Sequence, residues 1–245
     1  MNPFRSYVNA LSFMTRLVPA RTIPDEDFRR GMACMPFVGL TLGLVLVVPI
    51  ALGLFRSHTW VQAWLLMLGN VYLTRGLHMD GLSDVFDGVT AHTSPERFWS
   101  VVKDSRSGAF GVLSMVMASL GLVVLYHSLL DVGAYWAIAW AFVAGRTACV
   151  GLGYMARHLA RPGLGKLHMD GATLSVALIS GLITLVLGAF MAGPLGALAG
   201  MFLSAVAVVP LYRLAERVEG VNGDFLGCAI VLGECCACLG CLLFV

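Results

Sequence analysis

Three aspartates, Asp80, Asp84 and Asp87, stand at i, i+4 and i+7 within Gly76-Leu-His-Met-Asp-Gly-Leu-Ser-Asp-Val-Phe-Asp-Gly88. On a helix they fall within about 60° of arc on one face. Like charges four residues apart destabilise an isolated helix, so the spacing calls for a cation. Oxygen-only ligands suit Mg²⁺ or Mn²⁺, with phosphate oxygens completing the shell. His78 flanks the triplet as a candidate phosphate or substrate ligand, or else caps the apolar segment before it. A solvated acidic loop is the plain alternative for the whole stretch.

A second stretch, Lys103-Asp-Ser-Arg-Ser-Gly-Ala-Phe-Gly111, runs directly into an apolar segment. Asp104 is a candidate metal ligand or general base. Arg106 is a candidate bidentate phosphate clamp. Ser105, with Ser107 and Gly108, sits where a helix N-terminus would offer free N–H groups to an anion. A third stretch, Glu219-Gly-Val-Asn-Gly-Asp-Phe-Leu-Gly227, has turn chemistry and adds Asp224, a second candidate base, with Asn222 beside it as a candidate substrate ligand. The residues do not choose between Asp104 and Asp224. Ten residues on, about 15 Å along a helix, Glu234 reaches the depth of Arg146. Each would cost about 2.5 to 3.5 kcal/mol at a bilayer centre, so both are expected to pair or to line a polar, substrate-binding cavity.

The elements that must hold these groups are membrane helices. The 245 residues are 58% hydrophobic and only 12% charged, with a net charge of +2, and mean hydropathy is +0.84. Soluble domains carry about 25% charged residues, so a water-exposed surface could not be covered. Disorder, a disulfide scaffold and a nucleic-acid binder with a broad basic face are excluded. Seven windows are long enough to span hydrocarbon, at about 32–55, 59–76, 108–130, 132–156, 172–192, 194–212 and 225–245. The expected fold is all-α, a polytopic membrane helix bundle forming one catalytic domain over 1–245. Phe4 to Ala20 suits an N-terminal interfacial helix, because Arg16 interrupts its apolar run and no cleavage site follows.

Threading seven spans gathers fourteen of the 16 basic residues on one side: Arg5, Arg16, Arg21, Arg29, Arg30, Arg75, Arg97, Lys103, Arg106, Arg157, Arg161, Lys166, Arg213 and Arg217. By the positive-inside rule that side is cytoplasmic. It also carries the three polar stretches, so the expected active site faces the cytoplasm from a bacterial inner membrane.

Other features invite plainer readings. His58, His92 and His158 read as loop residues and His127 as interfacial, and no histidine has zinc-site spacing. Seven Cys include four in the last eleven residues, Cys235, Cys236, Cys238 and Cys241, which read as small packing groups. Small residues four apart, Gly39 with Gly43 and Gly196 with Gly200, let helices approach closely. The pentapeptide Leu-His-Met-Asp-Gly occurs twice, at 77–81 and 167–171. Its flanks do not match, and it reads as chance.

These motifs resemble those of the cobalamin (5′-phosphate) synthase, or adenosylcobinamide-GDP ribazoletransferase, family. The carrying residues are Met35-Pro-Phe-Val-Gly-Leu-Thr-Leu-Gly43, His78-Met-Asp-Gly-Leu-Ser-Asp-Val-Phe-Asp-Gly88, Lys103-Asp-Ser-Arg-Ser-Gly-Ala-Phe-Gly111, Gly163-Leu-Gly165, and Asn222-Gly-Asp-Phe-Leu-Gly227 with Glu234. They run over nearly the whole chain in the family's order. Met79 and Ser83 stand where members often have Leu and Ala. The resemblance implies a Mg²⁺-dependent membrane transferase that joins adenosylcobinamide-GDP to α-ribazole or its 5′-phosphate and releases GMP. Its compatible partners are these small molecules, the bilayer, a further copy of itself or other cobalamin-assembly enzymes, and no nucleic acid. The residues alone reach only Mg²⁺-assisted phosphoryl-type transfer at a membrane face. A CDP-alcohol phosphotransferase, an Asp-rich prenyltransferase and a cation-coupled transporter are the competing classes. The first lacks its Ala-Arg after Asp80-Gly81, and the last would need polar groups on the bare far side.

Overall fold

Apolar segments that cannot hydrogen-bond to lipid must satisfy their backbone internally, and helices do so. The computed structural model describes residues 3–91 and 94–245, and among them there is no strand beyond one isolated bridge between Ala160 and Val221. His92 lies outside the described residues. The chain forms α1 (Pro3–Met14), α2 (Asp25–Arg30), α3 (Met35–Ala51), α4 (Thr59–Thr74), α5 (Leu77–Ala91), α6 (Pro95–Val102), α7 (Ala109–Asp131), α8 (Tyr135–Ala156), α9 (Leu164–Asp170), α10 (Leu174–Met191), α11 (Pro194–Arg217) and α12 (Gly223–Leu242).

Each expected span has its helix, yet among the described residues only six segments are long and apolar enough to cross a membrane. The second window, expected over 59–76, yields the 16-residue α4. At 1.5 Å per residue that is about 24 Å, short of the ~30 Å hydrocarbon core. Arg75 ends it in the left-handed conformation, and the chain turns at once into α5.

The long helices pack around α8, whose Trp140, Phe142 and Arg146 are fully buried. Helix α12 packs on α8, α11 and α5, and α3 packs on α8. The α3 contact needs glycine: a Cβ at Gly39 or Gly43 would run into the Phe142 or Ala139 carbonyl of α8. The outward faces are apolar instead of charged. Leu113, Met117 and Leu120 of α7, and Leu178, Leu182 and Phe190 of α10, are exposed at helical spacing, a surface suited to lipid. All seven Cys are free thiols.

The shorter helices build the site at one end of the bundle. Helix α1 is tied to the end of α4 by Arg16 N–H, which donates to the Leu73 carbonyl (2.7 Å), and by the Arg75 guanidinium, which donates to the carbonyls of Ser12 (3.4 Å) and Phe13. Helix α9 rests on α2, where His168 meets the Phe28 carbonyl. The loop before α12 is pinned to the one after α8, with Arg161 N–H donating to Val221 O (2.9 Å) and Val221 N–H to Leu159 O (3.0 Å).

Candidate active site

The N-terminal turn of α12 is held between two glycines. A Cβ on Gly81 of α5 would stand 2.7 Å from the Asp224 carbonyl oxygen, and one on Gly165 of α9 would stand 2.6 Å from the Gly223 nitrogen. Only hydrogen at these positions lets the three backbones meet. The close approach brings Asp224 beside Asp80 and Asp84. Burial, then the charges of Asp224, Asp80 and Asp87 in that order, pushes the Asp84 carboxyl up to about 7. A half-buried carboxyl raised by burial and then by three like charges sits in a negative field that a cation would relieve.

Asn222 forms the N-cap of α12. Its Oδ1 accepts from the N–H groups of Asp224 (3.2 Å) and Phe225 (3.5 Å), and its amide donates to the Asp224 carboxylate (2.6 Å). The residue expected to bind substrate therefore orients the neighbouring acid.

Asp87 departs from the expected ligand triplet. Its carboxylate accepts from the backbone N–H groups of Gly108 (2.6 Å) and Gly111 (2.7 Å), the N-cap and third residue of α7. Seven residues of helix put its backbone about 10 Å along the axis from that of Asp80. Sharing an arc is not sharing a place. Among the described residues no three His, Cys, Asp or Glu side chains stand together as a ready metal cage. The anion site expected at the head of α7 is filled by this same carboxylate.

Arg106 and Asp104 engage each other. Arg106 Nε donates to Asp104 Oδ1 (3.0 Å) and Nη2 to Oδ2 (2.7 Å), with 86% of the Arg106 side chain exposed. These bonds hold the Asp104 carboxyl down at about 2, which makes it a poor base. Ser105 is exposed beside them. The loop is self-paired at the surface, and the phosphate clamp and base expected of it would require this pair to open.

Arg146 and Glu234 form a buried ion pair, with side-chain exposures of 0% and 1%. Asn70 Nδ2 also donates to Glu234 (3.2 Å), and Arg146 Nη2 lies 3.5 Å from His78 Nδ1. Sealed from solvent and spent on each other, they are placed to position His78; direct contact with substrate, the role expected of them, would require this pair to open. Burial, then the Arg146 charge, holds His78 well below the ordinary imidazole range.

Two concavities flank Leu77. A groove of about 490 Å³ runs past Phe13, Val71, Arg75, Met79, Asp80 and Met115. A narrower pocket of about 240 Å³ has Phe13, Met14, His78, His168 and Asp224 in its wall. Sequence reasoning did not anticipate His168, Phe13 or Met14 here. The only available signal was the second Leu-His-Met-Asp-Gly copy. His168 is buried, which lowers its pKa to about 4 against the hydrogen bond to Phe28.

Residues 6–242 match the family described as Cobalamin-5-phosphate synthase. A protein of Nitratidesulfovibrio vulgaris strain Miyazaki F named adenosylcobinamide-GDP ribazoletransferase is 44% identical over 240 residues, covering 98% of this chain and 96% of that one. Proteins of the same name are 33% identical in Alkaliphilus metalliredigens, over 97% of this chain and 94% of that one, and 33% identical in Klebsiella pneumoniae strain 342, over 94% and 96%. No solved structure matches the chain.

Proposed function

The chain belongs to the cobalamin-5-phosphate synthase family, and from that premise we propose that it joins adenosylcobinamide-GDP to α-ribazole or its 5′-phosphate with release of GMP. The observation that carries the reading is the convergence of Asp80, Asp84 and Asp224 where α5 crosses α12.

The donor set fits Mg²⁺. This ion uses one or two protein carboxylates and takes its other ligands from phosphates and water, so Asp80 and Asp84 suffice without a third acid. Their uncompensated charge favours a cation there. When bound, Mg²⁺ would neutralise charge on the pyrophosphate and on the departing GMP. Asp224 borders the pocket and is oriented by Asn222. It takes the proton of the ribose hydroxyl as that oxygen bonds to the cobinamide-side phosphorus and the bond from phosphorus to the GMP oxygen breaks. Asp104, held near 2 by Arg106, is the weaker candidate for this proton. Phe13 and Met14 of α1 close the pocket from the side, which helps keep water from competing as nucleophile.

The orientation belongs to the same proposal. With α4 counted as a crossing, because Arg16 N–H bonds the Leu73 carbonyl and so brings the end of α4 back to the side of α1, the fourteen basic residues fall on the acids' side, which supports a cytoplasmic active site in a bacterial inner membrane. A reporter fused near Ser94 should read internal and one at Asp131 external.

The direct test is GMP release by purified protein in nanodiscs given adenosylcobinamide-GDP and α-ribazole, with Mg²⁺ or with excess EDTA. Asp84→Asn should fold and insert yet lose several orders of magnitude in turnover, since electrostatic stabilisation is usually the largest catalytic term. Near-normal release by Asp84→Asn or in EDTA would overturn the metal reading, and no release by wild type would overturn the reaction.

A further inference from the structure

The pentapeptide that occurs twice brings both of its histidines to one cavity. His78 of α5 and His168 of α9 line the 240 Å³ pocket together, ninety positions apart in sequence. They are 5% and 3% exposed, and the Nε2 of each is buried with no hydrogen-bond partner. A buried polar atom left unpaired costs free energy, and both of these belong to residues that line one pocket.

The opposite ring nitrogens set the tautomers. A guanidinium has donors only, so Arg146, 3.5 Å from His78 Nδ1, makes that nitrogen the acceptor and leaves the proton on Nε2. A carbonyl cannot donate, so His168 Nδ1, 3.1 Å from the Phe28 oxygen, carries the proton and Nε2 keeps its lone pair. The pocket therefore supplies one N–H donor and one acceptor. Phe13, Leu77, Leu226 and Ile230 make much of its remaining wall, and Asp224 stands at its border.

Such a site selects by chemistry. No Lys or Arg lines it, so a phosphate has no counter-charge there. Its volume takes a bicyclic ring and excludes a corrin macrocycle. Guanine would bring several donors and acceptors to two matching groups and leave the rest unpaired. A benzimidazole-type base brings one free ring nitrogen on an otherwise apolar frame, matching a mostly apolar pocket with few fixed polar groups. We propose that this pocket seats the heteroaromatic base of the ribazole, its free ring nitrogen accepting from His78 Nε2–H, with the ribose directed toward Asp224. His168 Nε2 accepts from a ribose hydroxyl of the same substrate. The assignment rests on the transferase reaction proposed above and adds to it where the nucleophilic substrate sits.

Steady-state GMP release by the full chain in nanodiscs, with each substrate varied in turn, tests it. His168→Asn keeps an amide where Nδ1 bonds Phe28 and deletes Nε2, whereas His168→Gln restores a polar atom near Nε2. His168→Asn should raise KM for α-ribazole about tenfold, the upper worth of one hydrogen bond, and His168→Gln less than about threefold. KM for adenosylcobinamide-GDP should stay within about twofold, because the lost bond belongs to the other substrate. His78→Asn should move KM for α-ribazole in the same direction. Ile230→Phe, which narrows the pocket from α12 without touching either imidazole bond, should raise the same KM and serves if a histidine variant fails to fold. An unmoved KM for α-ribazole in the folded variants, or an effect confined to adenosylcobinamide-GDP, overturns the assignment. Absence of GMP release by wild type instead overturns the reaction on which it rests.

Discussion

Replacing Glu234 with Gln removes one charge from a pair that has no water to fall back on. Arg146 is fully buried, its Nη1 bonds Glu234, and Asn70 donates to the other carboxylate oxygen. In Glu234→Gln the amide has nearly the same shape but turns one acceptor into a donor. If its oxygen faces Arg146, its NH₂ meets the Asn70 NH₂, and the guanidinium is left without a counter-ion in either rotamer. Breaking a buried pair from one side costs about 3 to 5 kcal/mol, or roughly 150- to 5,000-fold in the folding equilibrium at 1.36 kcal/mol per decade. Against a total stability of about 5 to 15 kcal/mol that is a large fraction, so the melting temperature in nanodiscs should fall clearly. Arg146→Met should lose a similar amount. The double variant Arg146→Met with Glu234→Leu strands no charge, and swaps of this kind are often neutral or stabilising, so it should recover most of the loss. It should not recover activity, because Arg146 no longer sets the His78 tautomer. Wild-type melting in both single variants would refute the reasoning, as would a double variant no more stable than the singles.

Gly81→Ala should lower GMP release at least about tenfold, because a displacement of even 1 Å at reacting groups can cost about 100-fold and the new methyl would sit 2.7 Å from the Asp224 carbonyl; unchanged turnover would mean α5 and α12 can part freely. Asp87→Ala should cost about 1 to 2 kcal/mol by uncapping α7, read as a lower melting temperature, and an unchanged melt would remove the capping role. His168 provides a pH test: its folded pKa of about 4 lies below its ordinary 6.5, so its stability contribution is complete above about pH 6.5 and is lost as pH falls toward 4. The difference amounts to about 3 kcal/mol at 1.36 kcal/mol per unit. Wild type should therefore lose more stability than His168→Gln between pH 7.5 and 4.5, and parallel losses in the two would exclude the imidazole as the cause.

Much of this protein was determined by amino-acid order alone. A charge content too low to cover a water-exposed surface dictates a membrane bundle, and apolar run lengths locate its helices to within a few residues. The period of 3.6 puts Asp80, Asp84 and Asp87 on one helix face, and the cost of charge in hydrocarbon singles out Arg146 and Glu234 as residues that must pair or line a polar cavity. These are local or additive properties, carried by each residue wherever the chain goes. What only tertiary structure decided depends on which surfaces meet. Helical phase orders the three aspartates on α5, but α7 and α12 abut different turns of that face, so Asp87 becomes a cap while Asp224 joins Asp80 and Asp84. Arg106 prefers a partner two residues away to one across the site, a choice that exposure settles and spacing does not. His78 and His168 share a pocket because Gly81 and Gly165 let α5 and α9 close on the start of α12. Contact between residues so distant in sequence is set by backbone approach, and neither copy of the pentapeptide encodes it by itself.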